Sequence, residues 1–283
     1  MIKLIECPRD AMQGITTFIP TSHKIQYVQK LLDVGFDTLD VGSFVSPKAI
    51  PQMKDTSEVI SSLDLSKTKT KLLTIVANTR GAYDAIKHDQ ITYLGYPFSI
   101  SETFQLRNTN ATIEESLQRV ADIQSITIKS KKKLVIYISM GFGNPYGDEW
   151  SVDIVKRWVS DLYAMGVRII NLSDTIGVST PESISYLFAH LIPAFEDVDF
   201  GAHLHTTPDK WEEKVHSAYS NGCRRFDGAI KGYGGCPMAK DDLTGNMPTE
   251  KMVSYFDERV IYTGISSEKF AEALEWSGRV FLH

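Results

Sequence analysis

Three times along this chain an amphipathic stretch closes on a glycine and passes directly into a new segment. The junctions are Val34-Gly35-Phe36-Asp37, Met165-Gly166-Val167-Arg168 and Asn221-Gly222-Cys223-Arg224. Glycine enters the left-handed conformation at a helix end without a Cβ clash, so each junction predicts a helix stop followed by a strand. Strands separated by helices return to one sheet as parallel βαβ crossovers, which narrows the choice of folds sharply.

The strand segments read as 2–6, 37–41, 71–77, 91–95, 133–139, 168–172, 198–204 and 225–230. Leu134-Val135-Ile136-Tyr137-Ile138 is continuously apolar, as expected of a parallel strand covered on both faces. Between the strands, Ile25, Val28, Leu31 and Leu32 recur at helical spacing, as do Val155, Trp158, Val159 and Leu162. Thr112 with Glu115 predicts a capping box, and Thr180-Pro181-Glu182 supplies a cap, an N1 proline and an acid for the helix dipole. Eight such units over 283 residues predict an α/β protein, a (β/α)8 TIM barrel. The expectation is one domain over 1–283, with the barrel in about 1–260 and a last helix over about 266–278. No glycine-rich phosphate loop follows the first strand, which disfavours a doubly wound open sheet.

A net charge of -5 argues against a nucleic-acid partner, because phosphate binding needs a clustered basic surface. The basic run at Lys129–Lys133 reads as a solvated helix end. No apolar run approaches the roughly 18 residues of a membrane span. Cys7, Cys223 and Cys236 show neither disulfide nor zinc spacing and suit a reducing compartment, so the expected location is cytoplasmic.

Long connections follow the strands, over 7–20, 42–53, 96–111, 140–150 and 231–248. Strand-to-helix connections form the active face of this fold, and long ones are usually functional. His203-Leu204-His205 ends the seventh strand, where residues i and i+2 share a face, so both imidazoles can reach one ion. Asp10, in Glu6-Cys7-Pro8-Arg9-Asp10 at the end of the first strand, could supply a carboxylate or merely pair with Arg9. Asn246 could add an amide oxygen; such a set suits Mg²⁺ or Mn²⁺ better than structural zinc. Cys236, in Gly234-Gly235-Cys236-Pro237, is either a catalytic thiol on a glycine loop or an incidental residue of a turn. Asp40 and Asp174 end strands two and six and read as facing the same mouth, although Asp174 could instead cap the next helix.

From about residue 4 to 256 the chain resembles the 3-hydroxy-3-methylglutaryl-CoA (HMG-CoA) lyase family of metal-dependent TIM barrels. The resemblance is carried by Pro8-Arg9-Asp10-Ala11-Met12-Gln13, Ser43-Phe44-Val45-Ser46-Pro47-Lys48 with Pro51-Gln52-Met53, and Ser173-Asp174-Thr175-Ile176-Gly177-Val178. It continues in His203-Leu204-His205 and in Gly234-Gly235-Cys236-Pro237 before Gly245-Asn246. The resemblance implies Asp10, His203, His205 and Asn246 as ligands of Mg²⁺ or Mn²⁺. It also implies catalytic roles for Arg9, Cys236 and His203, with Asp40 and Asp174 in support. Substrate contacts are expected from Gln13, Ser43, Phe44, Ser46 and Thr175. The implied substrate is an acyl-CoA, the implied reaction is retro-Claisen cleavage of HMG-CoA or a related 3-hydroxyacyl-CoA, and the implied assembly is a homodimer.

Several positions depart from the family pattern. Ala11-Met12 stands for Gly-Leu, Asp40 for Glu, Thr206 for Asp, and Asn144 for the Cys of Cys-Pro-Tyr. The interval from Cys236 to Asn246 is one residue longer than the pattern. Two other readings remain at this point: a Claisen-type synthase condensing acetyl-CoA with an α-keto acid, and a metal-bound barrel with a binding role only. Synthases usually extend well beyond the barrel, whereas here Phe270, Leu274 and Trp276 lie on one short last helix.

Overall fold

Gly35, Gly166 and Gly222 adopt φ of 96°, 87° and 96°, so each of the three junctions turns through the left-handed region as expected. The structure, a computed structural model, describes residues 1–235 and 244–281. Among these, eight strands alternate with helices. They are β1 (Lys3–Glu6), β2 (Thr38–Ser43), β3 (Lys71–Ile75), β4 (Ile91–Ser99), β5 (Lys133–Ser139), β6 (Ile169–Asp174), β7 (Asp199–Thr206) and β8 (Arg225–Gly228). Every neighbouring pair is parallel, and β8 returns to β1 in register from Lys3↔Arg225 to Glu6↔Gly228, which closes the barrel. A two-residue strand, β9 (Gly245–Asn246), pairs antiparallel with the end of β7.

Two connections differ from expectation. β4 continues past residue 95 to Ser99, because Tyr96 and Phe98 alternate outward into the core. Ser101 then caps a helix over Glu102–Thr109, so 96–111 is not an open loop. After β1 the chain forms the helix Pro8–Gln13 with proline at its first turn. Arg9 and Asp10 therefore project from a helix rather than from the strand end.

Strand alternation separates two buried environments. Leu134, Ile136 and Ile138 point outward to the helices, where they join the main apolar core. Val135 and Tyr137 point into the barrel, where a smaller cluster joins them to Leu73, Tyr93 and Ile169. The floor of the barrel is charged: Lys3 meets Asp199 at 2.8 Å, Lys71 meets Asp37 at 2.9 Å, and buried Arg225 lies 4.0 Å from both acids. The last helix, Ser267–Phe281, packs on Thr21–Val34 through the Tyr27–Phe281 edge contact. Among the described residues, no helix is long and apolar enough to cross a membrane.

Glu6 faces outward from β1 and is fully buried, accepting hydrogen bonds from the Ile230 amide at 2.9 Å and the Thr249 hydroxyl at 2.6 Å. Burial outweighs these bonds and pushes its acid from 4.5 up to about 8. Between those values the folded chain keeps a proton that the unfolded chain has lost, so stability falls as pH rises through the window. Glu6→Gln retains an acceptor for Ile230 and a donor for Thr249 without the titration. The expected result is that thermal stability of the wild type drops between pH 5 and 8 more than that of Glu6→Gln. Parallel pH profiles for the two proteins would refute a protonated Glu6.

Candidate metal centre

The C-terminal rim of the barrel gathers side chains from β1, β2, β7, β8 and the segments that follow them. His203 and His205 share the inward face of β7 while Leu204 is buried outward, as the alternation requires. Candidate ligand atoms of Asp10, His203 and His205 lie within 4.8 Å of one another. His205 donates through Nδ1 to the Thr175 carbonyl at 2.9 Å, and its buried Nε2 has no hydrogen-bond partner. A buried ring nitrogen aimed among a carboxylate and a second imidazole is costly unless something coordinates it. The donor set therefore fits a divalent cation.

Asn246 reaches the cluster because β9 lays it opposite His205. Its Nδ2 donates to Asp10 Oδ2 and to the Tyr233 carbonyl, both at 2.8 Å. Gly234, at φ 84°, permits this approach: a Cβ there would lie 2.7 Å from the Asp10 carbonyl and 2.9 Å from Asn246 Nδ2. Gln13 donates to Asp10 Oδ1 at 2.8 Å, fixing the carboxylate from the other side.

Arg9 pairs with Asp10, as one of the two readings of that acid anticipated. Its Nη1 donates to Asp10 Oδ1 at 2.7 Å and to Gln13 Oε1 at 2.9 Å. Nε and Nη2 both donate to Asp40 Oδ2, at 2.9 and 2.5 Å. A guanidinium has five N–H groups, so these four bonds leave one Nη2 hydrogen uncommitted. Burial raises the Asp10 acid, but Arg9, the two histidines and Asn246 outweigh it and hold it at about 2. For Asp40, burial wins against Arg9 and lifts the acid to about 6. Burial lowers the basicity of His205, with His203 adding to the effect; for His203, burial is outweighed by the bond to Asp227 and the net shift is upward.

Asp174 does not join this cluster. Asn171 faces the barrel interior, so Asp174, three positions on, turns to the helix layer. There it accepts from Lys214 Nζ at 2.7 Å and from the Val178 and Ser179 amides at 2.8 and 3.0 Å. Lys214 also donates to the His205 carbonyl at 2.8 Å, so Asp174 supports the β7 backbone from outside the barrel. Its expected place at the mouth is corrected to this anchoring position.

The remaining expected contacts divide. Ser43 is buried and accepts from the Val45 amide, while Thr175 Oγ1 accepts from the Met140 amide, so both shape the rim. Phe44 packs against His88 with ring centres 5.5 Å apart, and Ser46 is exposed on the connection after β2. Cys236 lies outside the described residues. Sequence reasoning missed Asp227, which bonds His203, and Lys214, which supports His205. For Asp227 a signal existed, since an acid two positions after Arg225 on a short strand must share its inward face.

Comparison with known proteins follows the same outline. Residues 2–276 match the HMGL-like family. Mitochondrial hydroxymethylglutaryl-CoA lyase of Mus musculus is 30% identical over 275 residues, spanning 96% of this chain and 83% of that protein. Hydroxymethylglutaryl-CoA lyase YngG of Bacillus subtilis is 30% identical over 269 residues, spanning 95% and 89%. Among solved structures, an HMG-CoA lyase from Acinetobacter baumannii in complex with coenzyme A and 3-methylmalate aligns at TM-score 0.91 and 29% identity, covering 100% of this chain and 92% of its own. With nearly end-to-end agreement in sequence and fold, the chain belongs to the HMGL-like family.

Proposed function

We propose that this protein is a divalent-metal-dependent lyase that cleaves HMG-CoA into acetyl-CoA and acetoacetate. The observation that carries the reading is the buried, unpartnered His205 Nε2 within the Asp10–His203–His205 cluster. Asp10, His203, His205 and Asn246 would hold Mg²⁺ or Mn²⁺. When bound, such an ion acidifies the tertiary alcohol of the substrate and orients it for cleavage.

The side chains around it divide the rest of the work. The uncommitted N–H of Arg9 is suited to donate to the thioester oxygen as negative charge develops there. Asp40 holds that guanidinium from behind through two bonds to one oxygen. His203 or a metal-linked carboxylate would take the hydroxyl proton. Cys236 is assigned the return of a proton to the enolate carbon. Gln13 and Phe44 stand nearest in role to substrate positioning, the first through its grip on Arg9 and Asp10.

The direct test incubates the purified protein with HMG-CoA and Mg²⁺ or Mn²⁺ and measures acetoacetate and acetyl-CoA. Activity should disappear with a chelator and return with either ion. Consumption of acetyl-CoA with an α-keto acid, without cleavage of HMG-CoA, would replace this reading by a condensing enzyme.

A further inference from the structure

Beneath His203 the barrel interior holds a buried polar chain that the reaction as outlined does not use. Asp227 lies on β8, and its side chain is 0% exposed. Its Oδ2 accepts from His203 Nδ1 at 3.2 Å and from Asn171 Nδ2 at 2.8 Å. Asn171 in turn accepts through Oδ1 from Arg225 Nε at 3.3 Å. The chain thus runs from the charged floor of the barrel to a side chain of the metal cluster.

We infer that Asp227 is a positioning residue that holds His203 as the Nδ1–H tautomer, so that Nε2 alone is presented to an ion beside Asp10 and His205. The inference rests on the metal-dependent reading above. A carboxylate can only accept from an imidazole, so an Asp227 bonded at Nδ1 requires the proton to reside there. The ring is also held in orientation, because the Tyr137 ring meets it edge-on with centres 5.5 Å apart.

The backbone is cut to fit the same arrangement. A Cβ on Gly201, two residues before His203 on the inward face of β7, would stand 2.2 Å from Asn171 Oδ1 and 3.0 Å from Arg225 Cδ. Glycine here leaves the space through which Asn171 and Arg225 reach each other, so the sequence of β7 accommodates the chain as well as the ligands. A hydrogen-bonded carboxylate behind a ligating histidine fixes its ring and strengthens its binding to metal.

With Nδ1–H committed to Asp227, a His203 that held the ion through Nε2 would have no nitrogen left to accept the hydroxyl proton.

The test combines two measurements. In Mg²⁺-loaded wild type with ¹⁵N-labelled histidine, NMR should show His203 protonated at Nδ1 and bare at Nε2. In Asp227→Asn, which preserves side-chain size, calorimetric titration should show Mn²⁺ binding about 10- to 100-fold weaker than in wild type. Supplementing Mn²⁺ to saturation should recover most of the turnover. A His203 proton on Nε2, or an unchanged Mn²⁺ affinity in a folded Asp227→Asn, would overturn the assignment. The NMR result decides alone should that variant not fold. If wild type binds no Mn²⁺, the metal reading itself fails, a result distinct from wild-type binding that Asp227→Asn leaves intact. Cys7 also lies with His203 and Asp227 within 4.8 Å. Two bound ions per wild-type chain, reduced to one by Cys7→Ser, would mean that the three hold an ion and that the hydrogen-bond assignment is wrong.

Discussion

His205→Ala is expected to give a folded barrel that retains no divalent ion through dialysis and loses activity by at least about 10³-fold, several kcal/mol of barrier. On the proposed reading the imidazole would supply one of two nitrogen donors, and its Nε2 is buried without a hydrogen-bond partner. The backbone at this position has independent support. Its carbonyl accepts from Lys214, and its strand pairs with Asn246, so folding does not depend on the ring. Removing the ring should even relieve the desolvation of Nε2 in the metal-free protein. Metal content per chain, read beside a thermal unfolding curve, separates the effects. Stoichiometric metal in His205→Ala would refute the ligand set, and loss of fold would show that the ring is structural.

Arg9→Gln should lower kcat by about 10²- to 10³-fold, the usual loss when one donor to a developing oxyanion is removed. It also carries a stability cost, because it leaves Asp10 and Asp40 as neighbouring buried carboxylates with no guanidinium between them. Breaking one side of such a buried network typically costs about 3–5 kcal/mol. The two effects respond differently to metal. An ion bound at Asp10 replaces part of the missing charge, so Mn²⁺ should raise the melting temperature of Arg9→Gln more than that of wild type. It should not restore kcat. Recovery of turnover together with stability would mean that Arg9 acts only by holding the carboxylates in place.

The barrel was legible because its signals are local and repeated. Gly35, Gly166 and Gly222 mark helix ends through a single backbone requirement, and the apolar run of β5 declares a strand buried on both faces. The histidine pair was legible for the same reason, since a two-residue spacing on a strand has one geometric meaning. Asp10 was reached by a less direct route. Its place depends on how the chain turns after β1, and the helix Pro8–Gln13 follows from a proline-led turn packed on the barrel rather than from periodicity. Asp174 was misplaced because the strand runs on through it, and an odd number of positions from inward-facing Asn171 puts its side chain on the outer face. Asp227 escaped notice because its importance lies in partners that are distant in the chain: Asn171 is 56 residues away and His203 is 24. Tertiary closure alone brings those three together.

The charged interior has a consequence for anyone who would engineer this chain. Most barrels of this type offer a central stack of aliphatic side chains that can be repacked in search of heat resistance. Here Asp227, Asn171 and Arg225 share that interior with Leu73, Tyr93, Val135, Tyr137 and Ile169, tied to the ring of His203 at one end and to the ion-paired floor at the other. Exchanging the set for well-fitted leucine or methionine could raise the melting point, as buried ion networks often yield to apolar replacements. The gain would come with a loosened imidazole and weaker metal retention. Thermostability and cofactor affinity are therefore opposing selection pressures on the same few positions, and useful stabilising substitutions are better sought in the outer helices.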